Sequence, residues 1–290
     1  MSLIAISLGL VMATKQVDYS SDLSHWRTDI EQDLKNPEGW LSVAGLFWLH
    51  EGDNNFGTKQ GSVVTLPANS GAPSFAGNLV LRDRKVTLQT KETNGVKVNG
   101  KVETFYVLKS DAEGNPDTVQ VGSVSFKIIV RGQRIGARLF DPKSKAVTGF
   151  TGRKWFPIDP KLRIKAKYFA YSQPKSISIT NILGDSETVK VPGCVVFTLN
   201  GIDCRMDAQE EGDTLFFNFK DQTNGKETYP AGRFLNTSKP VDGYVILDFN
   251  RAVNPPCAFT AFATCPLPPR SNFLTVPIRA GELSHHPDDK

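Results

Sequence analysis

Between Asp22 and Lys35 the apolar residues Leu23, Trp26, Ile30 and Leu34 recur every three or four positions, which predicts an amphipathic helix with one buried face. Ser21 stands where an N-cap belongs, and Asn36-Pro37 predicts the stop, because the residue before proline disfavours helical backbone. The stretch Gly39 to Leu49 is so rich in Trp, Leu and Phe that it is expected to bury against a sheet. From Ser62 the period falls to two. Val63-Val-Thr-Leu66, Leu79-Val-Leu81, Val86-Thr-Leu88 and Phe105-Tyr-Val-Leu108 predict strands, as do Ser176–Thr180, Thr188–Val191, Val195–Leu199, Asp203–Ala208, Thr214–Phe219 and Tyr244–Phe249. Asn94-Gly95, Asn99-Gly100, Asn200-Gly201 and Asn224-Gly225 are turn dipeptides, favoured where a hairpin needs positive φ twice. One helix and about a dozen strands make a mostly β protein, with antiparallel sandwich and/or barrel sheets and an N-terminal amphipathic helix covering one end.

The expected organisation is a leader and linker over residues 1–20, the helix with a small sandwich-like β region over 21–115, and an antiparallel β region over 116–290. Pairing is expected to break at 109–117 and at 152–160, and no fixed-period repeat interrupts this plan.

The last of these regions carries the candidate chemistry. Asp248-Phe-Asn-Arg251, Asn254-Pro-Pro-Cys257, Cys265-Pro-Leu-Pro-Pro269, Asn272 and Ala280-Gly-Glu282 mix carboxylates, amides, an arginine and thiols with proline. Unpaired polar groups are costly to bury, so such a mixture is poor core material. Alternation places Val245, Leu247 and Phe249 on one strand face and Ile246, Asp248 and Asn250 on the other. Two readings follow. In one, an enzyme acts on a small, anionic molecule with Asp248 or Glu282 as acid/base, Arg233 or Arg251 orienting the ligand, Asn250, Asn254 and Asn272 lining the site, and Cys257 or Cys265 reactive or bridging. In the other, the same residues stitch a long C-terminal segment onto the sheet of a non-catalytic binding or interaction module, with Asp248 capping a turn and pairing with Arg251.

Charge narrows the partners only a little. The 290 residues carry a net charge of +4, with 34 Lys and Arg against 30 Asp and Glu, far from the basic footprint of a nucleic-acid binder. The alternation Lys161-Leu-Arg-Ile-Lys-Ala-Lys167 aligns cations on one strand face, either as a solvated face or as an attraction for an acidic small ligand, and it lacks the interleaved aromatic residues of a nucleic-acid platform. Leu3 to Ala13 is an apolar run of signal-peptide length ending in small residues, although no basic residue precedes it. Export is therefore expected, with a cytoplasmic location if the run is not cleaved. It falls short of the roughly 20 residues that span a bilayer, and no other segment is expected to cross a membrane.

Of the four cysteines, Cys257 and Cys265 form the expected disulfide in an exported chain, because a short proline-bearing loop keeps them close; Cys194 and Cys204 flank a turn and either face each other or pack singly. A nucleophilic thiol is the second reading, with Arg251 supplying positive charge, and a metal site the third, since zinc wants four ligands and no histidine stands nearby in sequence. Among His25, His50, His285 and His286 only His50 is a catalytic candidate, and a satisfied structural histidine is the favoured reading of it. Gly-x-Ser-x-Gly, P-loop, Gly-x-Gly-x-x-Gly and His-Glu-x-x-His patterns are absent, and no cofactor is indicated.

The C-terminal runs, together with Gly39-Trp-Leu-Ser42, Gly45-Leu-Phe-Trp-Leu49, Gly152-Arg-Lys-Trp-Phe-Pro157, Thr228-Tyr229 and Gly232-Arg-Phe234, resemble the domain-of-unknown-function 1684 family of bacteria and archaea across nearly the whole chain after the leader. That resemblance implies no activity and carries no catalytic residue. Asn55-Phe-Gly57, Val64-Thr-Leu-Pro67 and Asn94-Gly-Val-Lys-Val-Asn-Gly100 are more weakly similar in spacing to forkhead-associated domains, β-sandwiches that bind phosphothreonine. The arginine and the serine-histidine pair that hold the phosphate in that family have no counterpart here.

Overall fold

The computed structural model describes residues 18–285; the leader reading and His286 lie outside them. Helix α1 spans Tyr19–Lys35 and buries Leu23 and Leu34, with Trp26 and Ile30 half-covered on the same face. It begins two residues before the expected cap, because the Tyr19 hydroxyl is anchored on Asp248 at 2.8 Å and Asp18, not Ser21, takes the cap position. It ends as the sequence predicts, at Asn36 in extended backbone before Pro37.

Eleven short strands follow: β1 (Val43–Trp48), β2 (Gly52–Gly57), β3 (Val64–Thr65), β4 (Gly77–Arg82), β5 (Lys85–Thr90), β6 (Lys97–Val98), β7 (Lys101–Val102), β8 (Phe105–Leu108), β9 (Val119–Val121), β10 (Val124–Arg131) and β11 (Arg134–Phe140). They form a six-stranded sheet, β1-β11-β10-β9-β6-β7, and a five-stranded sheet, β3-β2-β4-β5-β8. The alternate residues Leu79, Leu88, Phe126, Ile128 and Leu139 fill the space between the sheets, and Phe56 meets Phe126 edge to face at 5.5 Å. Asn99-Gly100 forms a hairpin turn with both φ positive, as expected; β4 and β5 make the same kind of turn from Asp83-Arg84, which carries no such dipeptide.

The sandwich runs through Phe140, so the expected division near residue 115 falls inside it. The loop over 109–117 is a tightly bonded corner. Ser110 and Glu113 form a capping box, and the Asp117 carboxylate accepts from Lys109 N and Asn99 Nδ2, each at 2.7 Å. The expected break at 152–160 coincides with the passage between the two β units.

After the single-turn helix α2 (Lys145–Thr148), six strands build an antiparallel sheet that is almost closed: β12 (Arg163–Thr180), β13 (Ser186–Leu199), β14 (Ile202–Glu211), β15 (Thr214–Phe219), β16 (Arg233–Ser238) and β17 (Tyr244–Asp248). Its order is β16-β15-β14-β13-β12-β17, and Thr237 Oγ1 donates to Ile246 O at 2.7 Å across the gap between the two edges. β12 joins the basic stripe and the Ser176–Thr180 run into one long strand. Pro174 and Pro192 sit where its register against β13 shifts between Ala170 and Lys175, so neither is asked for a ladder hydrogen bond.

The mouth of this barrel is plugged by the C-terminal segment. Leu274, Val276, Ile278 and Ala280 point inward at every second position and join Phe217, Phe219, Leu247 and Phe249 in one core. Burying side chains of this size contributes roughly 1.5–3 kcal/mol each for the larger three. Pro277 and the lack of a continuous ladder keep the segment from being a regular strand. Among the described residues no helix is long and apolar enough to cross a membrane.

Candidate functional site

The nine sequence-predicted residues fall into separate clusters around the plug. Asp248 ends β17 and caps the short 3-10 turn Phe249–Arg251 through Asn250 N. Its carboxylate also accepts from Tyr19 Oη, whose own ionisation burial and that carboxylate push up to about 12. Asn250 is wholly buried, donating to Asp159 O at 2.8 Å and accepting from Asp159 N at 2.9 Å. Arg251 pairs with Asp22 and, at 3.5 Å, with Asp248, while its guanidinium lies over Trp26.

Glu282 and Asn254 belong to a second cluster. Glu282 Oε2 accepts from Arg153 Nη1 at 2.5 Å and from Asn254 N at 2.8 Å, and Asn254 Nδ2 donates to Leu283 O. Glu282 is fully buried, and that burial raises its carboxyl to about 7 against the opposing pull of Arg153. Arg233, also fully buried, pairs with Asp221 at 2.7 Å and donates to the carbonyls of Ile278 and Ala280. Asn272 accepts from Asp207 N at 2.7 Å and donates to Asp207 O and Asn218 O at 3.0 Å. Most of the predicted polar residues thus face inward and tie the plug to the barrel.

All four cysteines are free thiols. Cys257 and Cys265 nevertheless meet, with Cys257 N–H donating to Cys265 Sγ at 3.2 Å and Tyr229 Oη donating to Cys257 O at 3.0 Å. The positive charge beside them is Arg138, not Arg251 as expected, because Arg251 is held at the N-terminus of α1. Burial, with Arg131 close by, lowers the Arg138 guanidinium to about 10. His50 is exposed on the turn after β1 and lines none of the clefts described below. Among the described residues, no three His, Cys, Asp or Glu side chains converge as metal ligands.

What the sequence did not foresee is the cleft these clusters surround. A cavity of about 880 Å³ opens between α1 and the outer wall of the barrel, with Trp26 and Trp40 on one side and the edge-to-face pair Phe216 and Phe234 on the other. A neighbouring space of about 440 Å³ shares Trp40, Glu187, Glu211, Phe234 and Pro266 with it and reaches Arg131, Thr264 and Cys265. Arg153 and Gln209 line the larger cavity, both side chains about nine-tenths buried or more, and Arg153 Nε and Gln209 Nε2 have no hydrogen-bond partner among the described residues. Glu187, Glu211 and Asp33 stand at its rim as exposed carboxylates. In the sequence Trp40 reads only as part of an aromatic run and Arg153 only as part of the Gly152–Pro157 run. A third groove of about 650 Å³ lies beside Asp248 and Arg251, where Arg163 and Lys165 of the basic stripe meet Lys239 and the two rings of Tyr19 and Tyr244.

Residues 148–283, which build the barrel, the plug and most of the cleft wall, match the family described as "Protein of unknown function (DUF1684)". Through that segment the chain belongs to the DUF1684 family. A solved structure similar to this DUF1684 protein is the solution NMR structure of the uncharacterized protein from gene locus rrnAC0354 of Haloarcula marismortui, at 32% identity over 47% of this chain and 78% of that chain, with a TM-score of 0.40. No curated protein matches the chain. The DUF1684 match includes Gly152 to Pro157, Gly232 to Phe234 and every C-terminal run, and it leaves out Gly39 to Leu49, so the family likeness covers the second half of the chain and not the whole of it.

Proposed function

We propose that this DUF1684 protein binds a small, ring-bearing molecule in the cleft between α1 and the barrel. The observation that carries the reading is the pair of buried, unpartnered donors, Arg153 Nε and Gln209 Nε2, in a cleft walled by Trp26, Trp40, Phe216 and Phe234. Buried donors without acceptors are costly, so a bound acceptor group would stabilise them, and flat aromatic walls suit a ring. An acceptor-rich or anionic group fits the Arg153 and Arg251 end, while hydroxyl or ammonium groups fit Glu187 and Glu211. Binding without turnover fits better than acid/base catalysis, since Glu282 sits behind Arg153 and Asp248 already accepts from Tyr19.

The test is a thermal-shift screen of sugars, sugar acids and aromatic acids, followed by titration read through tryptophan fluorescence. Trp40→Ala and Gln209→Leu are each expected to weaken the hit about tenfold, the worth of one aromatic or hydrogen-bonding contact. Undiminished affinity in both variants refutes the site.

A second reading rests on the groove beside Asp248, where Arg163, Lys165, Lys239 and Arg251 would hold a small anion. Phosphate binding that Lys239→Glu abolishes, with the cleft ligand unaffected, would favour it. The extension of the family likeness through the sandwich, the forkhead-associated layout of that sandwich and export with loss of the leader are further proposals; the last is checked by the intact mass of protein from its native host.

A further inference from the structure

Cys257 and Cys265 are built as an unequal pair. Cys257 lies in the 3-10 turn Pro256–Ala258 and is partly exposed, whereas Cys265 is buried and lines the smaller part of the cleft. The chain between them is held at its middle, where Thr260 Oγ1 donates to Val43 O at 2.9 Å, and at its end, where Thr264 Oγ1 accepts from Arg131 Nε at 2.9 Å. The two thiols therefore face each other across a closed loop rather than by chance proximity of mobile tails. Tyr229 packs against Cys257, and the Arg138 guanidinium lies on the Cys265 side. Cys194 and Cys204, by contrast, lie on the barrel strands β13 and β14, both buried.

We propose that Cys257 and Cys265 form a thiol–disulfide exchange site, in which Cys257 attacks and Cys265 resolves, and that the co-reactant is a low-molecular-weight disulfide. The asymmetry of the pair supports the order of the steps. Hydrogen bonding to the Cys265 thiol brings the Cys257 thiol down to about 7 against its burial, whereas its neighbour and burial push the Cys265 thiol up. A thiol near neutrality is a fair fraction thiolate at physiological pH, and the thiolate is the nucleophile.

In the first step the Cys257 thiolate attacks one sulfur of the external disulfide, a new sulfur–sulfur bond forms, and the other half leaves as a thiolate that takes up the proton Cys257 lost. In the second step Cys265, giving its proton to solvent or to the leaving thiolate, attacks Cys257 Sγ and expels the second half as a thiol. The balance is closed: two protein thiols are oxidised to one intramolecular disulfide, and one external disulfide is reduced to two thiols. The bond requires Cβ carbons about 3.8 Å apart, and the Cys257 backbone N–H already holds Cys265 Sγ at 3.2 Å.

The experiment titrates the reduced, full-length protein with oxidised glutathione and follows it by intact mass and by mapping of alkylated peptides. The expected product has lost two hydrogens, with the bond between Cys257 and Cys265. Cys265→Ser is expected to trap glutathione on Cys257, and Cys257→Ser to leave Cys265 unmodified. In the wild-type protein, iodoacetamide labelling of Cys257 should reach half its maximal rate near pH 7, a readout independent of whether either variant folds. The proposal fails if both thiols stay reduced at a glutathione potential that oxidises ordinary dithiols, if glutathione settles on Cys194 or Cys204 first, or if Cys257 labels with the profile of an unperturbed thiol near about 8.5.

Discussion

Replacing Arg233 by methionine should unlatch the plug from the barrel. The side chains of Arg233 and Asp221 are both wholly inaccessible, and Asp221 Oδ1 also accepts from Thr223 N at 2.8 Å and Ile278 N at 3.2 Å. Methionine fills much of the arginine's volume and removes its charge, so Asp221 is left as a buried anion without its cation. Breaking a buried pair in this way costs about 3–5 kcal/mol. The carbonyls of Ile278 and Ala280 lose their donor as well, adding about 1 kcal/mol each. The sum, roughly 5–7 kcal/mol, corresponds to a fall in Tm of roughly 10–28 °C for a barrel of this size.

Urea and thermal unfolding followed by circular dichroism measure the loss, and Trp155 fluorescence reports plug release, because Trp155 bridges to Glu282. Adding Asp221→Asn to the methionine variant keeps an acceptor for Thr223 and Ile278 but removes the stranded charge. The double variant should regain at least half of the loss. A loss below about 1 kcal/mol, or strictly additive losses in the double variant, would refute the claim that this pair latches the segment.

Glu282 makes stability depend on pH in an unusual direction. Its folded-state carboxyl, at about 7, lies above the ordinary 4.5 of the unfolded chain, so its contribution is fully present below 4.5 and is lost as pH rises through 7. That amounts to up to about 3–4 kcal/mol at roughly 1.4 kcal/mol per pH unit. Glu282→Gln should flatten this part of the stability profile between pH 5 and 8, and an unchanged slope in the variant would assign it elsewhere. Asn272→Ala removes a bond to a buried N–H and two to carbonyls, which predicts a loss of about 3 kcal/mol; Asn272→Asp should not restore it, since it lacks the donor and introduces a charge. A urea midpoint for the alanine variant equal to that of the wild type would show that water replaces the amide.

The fold was legible where the pattern was local. The 3.6 period at Leu23 to Leu34 and the period of two along β13, β14, β15 and β17 each state their burial directly, and the Asn99-Gly100 and Asn200-Gly201 turns lie where both φ angles are positive. What the chain hides is long-range pairing. Nothing local in Val119 to Phe140 says that these strands return to pair with β1, so the sandwich was cut too short. The plug shows the opposite fault, since Leu274, Val276, Ile278 and Ala280 alternate plainly but stand among prolines that argue against a strand.

The candidate site was half legible for a related reason. Polar residues crowded among prolines read as poor core material, yet Asn250, Asn254, Asn272 and Glu282 are buried with partners, and Asp248 caps its turn and pairs with Arg251. Whether such residues face a ligand or the backbone depends on partners far away in sequence: Tyr19 for Asp248, Arg153 for Glu282, Asp207 for Asn272. Trp40 reads only as one ring of an aromatic run and Gln209 gives no signal at all, because a half-covered ring and an amide without a partner are defined only by the surfaces that meet around them.

The plug also sets an order of assembly. The strands that form the barrel wall are complete at Asp248, yet the side chains that close its core, Leu274, Val276, Ile278 and Ala280, arrive only with the later segment. During synthesis the sandwich can fold early, since all of its strands are made by Phe140, while the barrel stands open with Phe217, Phe219 and Leu247 uncovered until the later segment emerges. A ribosome that pauses between residues 248 and 274 would therefore present a hydrophobic mouth to whatever chaperone is at hand, and a nonsense codon in that interval should yield an aggregating fragment rather than a smaller folded protein.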